Sequence, residues 1–232
     1  MAWINPDIRR LILASGSPRR RQLLSLLGVP FVIKVAEVDE TPHPGEPPSE
    51  MVLRVSRDKA LAAGQIGHDE LVIAADTVVV LDGHILGKPA DAAQAGKMLR
   101  LLRNRSHLVY TGVAVWHGRR RRMVQELGES VVWMRNYGDD EIATYVDSGD
   151  PMDKAGAYAI QHRGFQPVAR IDGCWLNVMG LPLCHLARAL ASFGLSVPAN
   201  VPGACQAFNQ HECKVSFSGL SSREQGGSKH GV

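Results

Sequence analysis

The sequence reads as a mixture of strands and helices, and three observations carry the reading. Leu11–Leu24, LILASGSPRRRQLL, reads as a short apolar strand, a small-residue turn and the start of a helix. Leu71–Leu81, LVIAADTVVVL, is an apolar, β-branched run that fits a central buried strand. Between residues 11 and 102, strand-like and helix-like stretches follow one another.

The first strand is Leu11, Ile12, Leu13 and Ala14, broken by Ser15-Gly16-Ser17-Pro18. Ser17 is placed to cap the helix, with Pro18 at its first position. Leu23, Leu24, Leu26 and Leu27 supply the apolar side. Arg19, Arg20 and Arg21 occupy the first turn, where the macrodipole favours acids. Free N–H groups, a positive dipole end and guanidinium groups together suit a polyanion. The alternative is a basic, solvated helix start. Gly-x-x-x-x-Gly-Lys-Ser/Thr is absent, which excludes the common P-loop.

Phe31–Val35 reads as a second strand, ending in the acids Glu37, Asp39 and Glu40. Thr41 to Pro48 is a Pro- and Gly-containing loop. Ser49 is expected to cap the next helix, with Glu50 in its first turn and Val52, Leu53, Val55, Lys59 and Ala60 at helical spacing. Lys59, polar among apolar neighbours, reads by itself as a snorkelling surface lysine. Asp76 and Thr77 interrupt the central strand. A buried carboxylate costs several kcal/mol unless it is paired, hydrogen-bonded or bound to metal, so Asp76 is marked as a functional residue. Asp82-Gly83 is a hairpin signal, and Ile85–Pro89 places Lys88 just past a strand end.

Asp91 caps a helix over Ala92–Leu102. Ser106–Val115 and Met123–Val132 read as strands. His117–Arg122 between them, with four arginines, fits a solvated hairpin tip rather than a nucleic-acid site. The run is short and no aromatic residues interleave with it. Asp139 or Asp140 opens another helix, with Ile142, Tyr145 and Val146 on one face, and Ser148–Pro151 ends it. Asp153–Gln161 is a small-residue stretch carrying charge, whose glycine and alanines permit close backbone approach to a ligand. Val168–Ile171 and Trp175–Val178 flank Asp172-Gly173 and read as a further hairpin, and Pro182–Phe193 as a final amphipathic helix. From Pro198 the chain is rich in Gly, Ser, Gln and Asn without a period. The expectation is a domain over residues 1–197 and a disordered tail over 198–232.

With 232 residues, 45% hydrophobic, the chain is long enough for a sizeable core. A net charge of +3 is too mild to imply nucleic acid. No apolar run reaches the ~18 residues of a membrane span, and MAWINPDIRR lacks the apolar core of a signal peptide, so the expected location is the cytoplasm. None of the four cysteines forms Cys-x-x-Cys. Cys174 and Cys184 read as reduced core residues, while Cys205 and Cys213 leave a disulfide or a metal clip open.

No Ser-His-Asp or Cys-His order and no zinc spacing stands out. The polar residues that interrupt apolar or small-residue runs are arginines, lysines and acids. Cations bind phosphates, and carboxylates hold a divalent metal and activate water. The set suits metal-assisted attack of water on a polyphosphate.

Ser15-Gly16-Ser17-Pro18-Arg19-Arg20 resembles the opening motif of the Maf family of nucleoside triphosphate pyrophosphatases. The resemblance continues in order through Val38-Asp39-Glu40, Asp58-Lys59-Ala60, Ala75-Asp76-Thr77, Gly87-Lys88-Pro89, Asp153–Tyr158, Ile160-Gln161 and Gly180–Leu183, over about residues 10–195. It implies an ITPase-like α/β fold with an elongated mixed sheet flanked by helices, and two lobes around a cleft. It implies conversion of a nucleoside triphosphate to the monophosphate and pyrophosphate. By the same resemblance Asp76 is the proton acceptor and Glu40 a carboxylate linked to metal and water. Asp76 and Glu40 would hold a divalent cation, Mg2+ or Mn2+. Ser17, Arg20, Lys59 and Lys88 match phosphate-side residues, and Arg19, Thr77 and Gln161 the positions associated with base choice. That last combination resembles the subgroup acting on dTTP and UTP. A 7-methyl-GTP or other purine-directed enzyme, and a non-catalytic protein linked to septum formation, are the alternatives. The implied partner is a nucleotide, with no nucleic acid and no membrane, and a homodimer is allowed. One departure stands out: where the family often continues with a glycine-rich segment after Gln161, this chain reads His162–Pro167, HRGFQP.

Overall fold

The computed structural model describes residues 8–64 and 69–211. Its strands form one seven-stranded mixed sheet in the order β2-β1-β3-β5-β6-β7, with β4 added on β3. β1 (Arg10–Leu13) runs parallel to both β2 (Phe31–Ile33) and the start of β3 (Glu70–Leu81). β4 (His84–Leu86) and β5 (Ser106–His117) are antiparallel to β3, β6 (Arg122–Met134) to β5, and β7 (Val168–Gly173) to β6. Around the sheet lie α1 (Pro18–Ser25), α2 (Pro48–Ala63), α3 (Ala92–Leu102), α4 (Asp139–Asp147), α5 (Trp175–Met179), α6 (Leu183–Ala191) and α7 (Val201–Asn209), with 3-10 turns at Asp150–Asp153 and Ala155–Ala157. Among the described residues no helix is long and apolar enough to cross a membrane.

The strand period of two decides what each face of the sheet carries. Leu11, Leu13, Leu71, Ile73 and Ala75 join the large core with Leu23 and Leu24 of α1. Ile12, Ala14, Val72 and Ala74 face the other way, onto Ala60 and Ala63 of α2. β3 is covered on both faces, which is why it reads as a near-continuous apolar run. On that alternation Asp76 belongs to the α2 face and Thr77 to the α1 face.

β1 pairs with β3 only as far as Ile73, extended by Ala14 N–H donating to Ile73 O at 2.7 Å. β4 takes up the same edge from Val79. Between these two strands the edge of β3 is left open, and Asp76 and Thr77 lie there. α2 is drawn close by Gly112, which pairs with Asp76 on β5. A Cβ on Gly112 would stand 2.3 Å from Val52 O, so only glycine lets the helix backbone lie this near the sheet.

Several local expectations are met. Ser17 and Asp91 cap α1 and α3, accepting from Arg20 N and Gln94 N. Asp82-Gly83 turns the β3–β4 hairpin, and the arginine run joins β5 to β6. Others are corrected. α2 is entered from Pro47 rather than Ser49, because Pro48 at the first helical position needs no N–H partner. β2 ends at Ile33 and not Val35. Trp175–Val178 form α5 instead of a strand. Asn177 is fully buried there, donating to Val109 O and Ser130 Oγ at 3.0 Å each, and the chain turns at Gly173 with φ +120°.

The tail boundary at residue 198 is corrected as well. α7 lies inside the stretch expected to be disordered, capped by the Asn200 side chain on Gly203 N. Val201 and Cys205, spaced one helical turn apart, are buried in the main core. Residues 212–232, Cys213 among them, lie outside the described residues. Truncation after Ala199 should therefore cost about 2–4 kcal/mol, the scale of removing two buried apolar side chains. Denaturant unfolding of the truncated and full chains measures it, and equal midpoints would contradict the packing of α7.

Candidate active site

A cleft of about 420 Å³ opens at the uncovered edge of β3, and Ser17, Arg19, Arg20, Glu40, Lys59, Asp76, Thr77, Lys88 and Gln161 all line it. Nine positions spread over 145 residues of sequence are thus brought to one cavity. Its wall holds five cationic side chains, Arg19, Arg20, Lys59, Lys88 and Lys154, against three carboxylates, Glu40, Asp76 and Asp153. That excess of cations in a concave, partly desolvated site favours a polyanion.

At the centre, Lys59 Nζ donates to Asp76 Oδ1 at 2.8 Å and pairs with Glu40 Oε1 at 2.7 Å. Lys59 is therefore no snorkelling surface lysine. Its side chain is 10% exposed and its ammonium bridges two carboxylates. Asp76 is buried to a similar degree, whereas the Glu40 side chain is 55% exposed to the cleft. Desolvation raises the Glu40 carboxyl. The Lys59 hydrogen bond and the charges of Lys59, Lys88 and Arg20 outweigh it and hold the group below its ordinary value. The ionised form of Glu40 is thus favoured, and the Lys59 ammonium lies between the two carboxyl groups.

The loop carrying Glu40 is fixed by a clamp that sequence reasoning missed. Arg54 on α2 donates from Nε to Glu46 Oε1 at 2.7 Å and from Nη2 to Glu46 Oε2 at 2.8 Å, a bidentate pair. It also reaches Thr41 O at 3.0 Å, while Glu46 Oε2 accepts from His43 N. The Arg54 hydrogen bond, ahead of the backbone bond, takes the Glu46 carboxyl down to about 2. The clamp therefore stays charged across the whole range in which an enzyme would work. Arg54 and Glu46 are eight residues apart across the start of α2, and nothing in their spacing signals the pair.

α1 brings Arg19 and Arg20 to the cleft, where they take different partners. Arg19 Nη1 donates to Asp153 Oδ2 at 3.1 Å. The other oxygen of Asp153 takes Lys154 Nζ at 2.6 Å, so one carboxylate joins the helix start to the 3-10 turn. Arg20 turns inward. Its Nε donates to Gly180 O at 2.9 Å, its Nη2 to Thr77 Oγ1 at 3.1 Å and its Nη1 to Ser15 Oγ at 3.4 Å. Lys88 follows β4, where Gly87 O accepts from Gly156 N at 3.0 Å and ties the strand end to the small-residue stretch. Tyr158, on the cleft wall, shares a 2.7 Å hydrogen bond with His107 Nε2. Burial takes His107 down to about 4 and keeps it neutral at pH 7. Gln161 stands exposed at the rim.

Fold and cleft together define an α/β protein whose open sheet edge presents a carboxylate pair and a basic lining to a polyanionic ligand. A family model described as "Maf-like protein" matches residues 10–193, and the chain belongs to the Maf family. Among its relatives, a protein of Pelotomaculum thermopropionicum named "dTTP/UTP pyrophosphatase" is 47% identical over 190 residues, spanning 82% of this chain and 100% of that protein. Proteins of the same name from Geobacter metallireducens and Moorella thermoacetica are 43% and 46% identical, over 82% and 81% of this chain and 98% and 97% of theirs. A solved HAM1 protein from Coxiella burnetii is similar at 18% identity with a TM-score of 0.41, over 66% of this chain and 89% of that one.

Proposed function

We propose that this protein is a nucleoside triphosphate pyrophosphatase that hydrolyses dTTP and UTP to the monophosphate and pyrophosphate. The observation that carries the reading is the Glu40–Lys59–Asp76 cluster at an open strand edge inside a cation-rich cleft. A purely structural or docking surface has no use for a buried carboxylate held by one ammonium beside four further cations. The activity in the names of the relatives is a second, independent support.

In this reading Arg20, Lys88 and Lys59 take the triphosphate, and their charges offset what builds up on the pyrophosphate leaving group. Ser17 contributes at the helix start, where N–H groups and the dipole favour phosphate. Asp76 accepts the proton of the attacking water. Lys59 occupies Oδ1, so Oδ2 is the oxygen we assign to the proton. The donor set fits a divalent cation. Glu40 and Asp76 are brought side by side, each within 2.8 Å of Lys59 Nζ, and both offer hard oxygen ligands. Among the described residues no cluster of three His, Cys, Asp or Glu is present. Two carboxylates from the chain, completed by phosphate oxygens and water, is the usual way Mg2+ is held. When bound, such a cation supplies charge neutralisation and polarisation of the phosphoryl oxygens. An activity on nucleoside triphosphates supports a cytoplasmic location.

Gln161, Arg19 and Thr77 are the residues we assign to base choice. The Gln161 amide carries a donor and an acceptor side by side, matching the adjacent carbonyl and N–H of uracil or thymine. On the edge formed by N3–H and the 2-carbonyl, cytosine keeps the carbonyl and turns the ring nitrogen from donor to acceptor. UTP should be preferred over CTP by about 5- to 150-fold in kcat/KM, the span of one mispaired polar group at roughly 1–3 kcal/mol. Gln161→Glu should erode that ratio. Steady-state kinetics with both nucleotides on both proteins is the test. Equal efficiencies in the native protein, or a ratio untouched by the substitution, would refute the pocket.

A further inference from the structure

The C-terminal end of α5 directs two carbonyls at Arg20, one directly and one through two threonine hydroxyls. Gly180 O accepts Arg20 Nε at 2.9 Å. Asn177 O accepts Thr111 Oγ1 at 2.9 Å, Thr111 Oγ1 lies 3.0 Å from Thr77 Oγ1, and Thr77 Oγ1 accepts Arg20 Nη2 at 3.1 Å. The proton directions in this chain are determined. A carbonyl only accepts, so the one proton of Thr111 goes to Asn177 O, and the proton between the threonines is that of Thr77. Every bond then points the same way, from Arg20 through Thr77 and Thr111 to Asn177, an arrangement in which each bond strengthens the next.

We propose that Thr111 is a positioning residue. Anchored on Asn177 O, it fixes the Thr77 hydroxyl and through it sets the Arg20 guanidinium in the cleft before any ligand arrives. The inference rests on the reading of Arg20 as a phosphate-side residue. Thr111 is fully buried on β5, directly opposite Thr77 on β3. Its anchor does not drift, because the Asn177 side chain is itself buried and bonded to Val109 O and Ser130 Oγ. Gly180 closes the arrangement. Its φ of +106° suits glycine, and a Cβ there would stand 3.3 Å from Thr77 Oγ1 and 3.4 Å from Arg20 Nε. This gives the Gly180–Leu183 motif a physical task.

Two consequences follow for the cleft. Among the described residues Arg20 donates to three neutral oxygens and makes no direct ion pair, so its charge is held for a ligand. Of the five guanidinium N–H groups, three are engaged, which leaves one on each terminal nitrogen, the pair a phosphate can take in bidentate fashion. Thr77, having given its proton to Thr111, offers the cleft an acceptor and never a donor.

The test is Thr111→Val, which keeps the shape and removes the hydroxyl, with Thr111→Ser as the restoring variant. The Arg20 Nε–H resonance, assigned by its loss in Arg20→Lys, reports on the free protein. Its hydrogen exchange should be slow in the native chain, at least about tenfold faster in Thr111→Val, and native-like in Thr111→Ser. Calorimetric binding of inorganic tripolyphosphate and kcat/KM for dTTP should each fall about tenfold in Thr111→Val and recover in Thr111→Ser, because a misplaced guanidinium loses its alignment. Should Thr111→Val fail to fold, Thr77→Val interrupts the same chain from the cleft side and should release the Arg20 Nε–H equally. A folded Thr111→Val with native exchange and native tripolyphosphate affinity overturns the proposal, as does a Thr111→Ser variant that behaves like Thr111→Val. Protected Arg20 in a native protein that cleaves no nucleotide would instead remove the proposed activity and leave the positioning intact.

Discussion

Asp76→Asn should lower kcat by about 10²–10⁴-fold, the usual consequence of losing a general base, while the protein stays folded. An amide keeps the size of the carboxylate and can still accept from Lys59, but it cannot take a proton from water. The stability cost is small for a geometric reason. Lys59 retains Glu40 Oε1 at 2.7 Å as a partner, so no unpaired ammonium is left behind. A loss on the order of 1 kcal/mol corresponds to about 2–4 °C in melting temperature for a chain of this size. Pyrophosphate release measured beside a thermal melt separates the two effects. A folded Asp76→Asn protein with native kcat would remove Asp76 from the chemistry. A large drop in melting temperature would instead make its role structural.

How much of this was legible in the sequence depends on the kind of signal each residue leaves. Asp76 is visible because a carboxylate in an apolar strand violates burial, and Ser17 because a cap followed by proline is a local rule. Thr111 violates nothing. A threonine is β-branched and fits a strand, so its hydroxyl passes as ordinary although it is buried and bonded to Asn177 O. Lys59 misleads in the opposite direction. An apolar helix face with one lysine is the pattern of a snorkelling side chain, and only the approach of α2 to β3 over Gly112 converts it into a buried cation. The α5 segment fails for want of length. Trp175–Val178 is too short an apolar run to distinguish helix from strand, and the deciding contacts, Asn177 with Val109 and Ser130, are remote in sequence. α7 did leave a signal in Asn200, Pro202 and the pair Val201 and Cys205 at helical spacing, masked by the polar composition around it. Local rules thus gave most element boundaries, whereas the clamp of Arg54 on Glu46 and the orientation of Arg20 depend on which segments meet.

Lys59→Met should be the most destabilising single change in the cleft, costing about 3–5 kcal/mol as well as most activity, because it strands a buried charge. The asymmetry between its two partners sets the size. Glu40, with 55% of its side chain exposed, can turn to water once the ammonium is gone. Asp76, at 9%, cannot, and Lys59 is its only ion-pair partner among the described residues. Arg20 contributes through its charge, yet its hydrogen bonds go to Gly180, Thr77 and Ser15. The double variant Lys59→Met/Asp76→Asn removes the stranded charge. It should recover a large part of the lost stability while remaining inactive, so the two substitutions should be far from additive in denaturant unfolding. The restored stability without restored activity is the signature that distinguishes a buried ion pair serving chemistry from one that only holds the fold. Native stability in Lys59→Met, or strict additivity in the double variant, would mean that Asp76 does not depend on this ammonium, and the carboxylate–ammonium–carboxylate cluster would lose its place at the centre of the site.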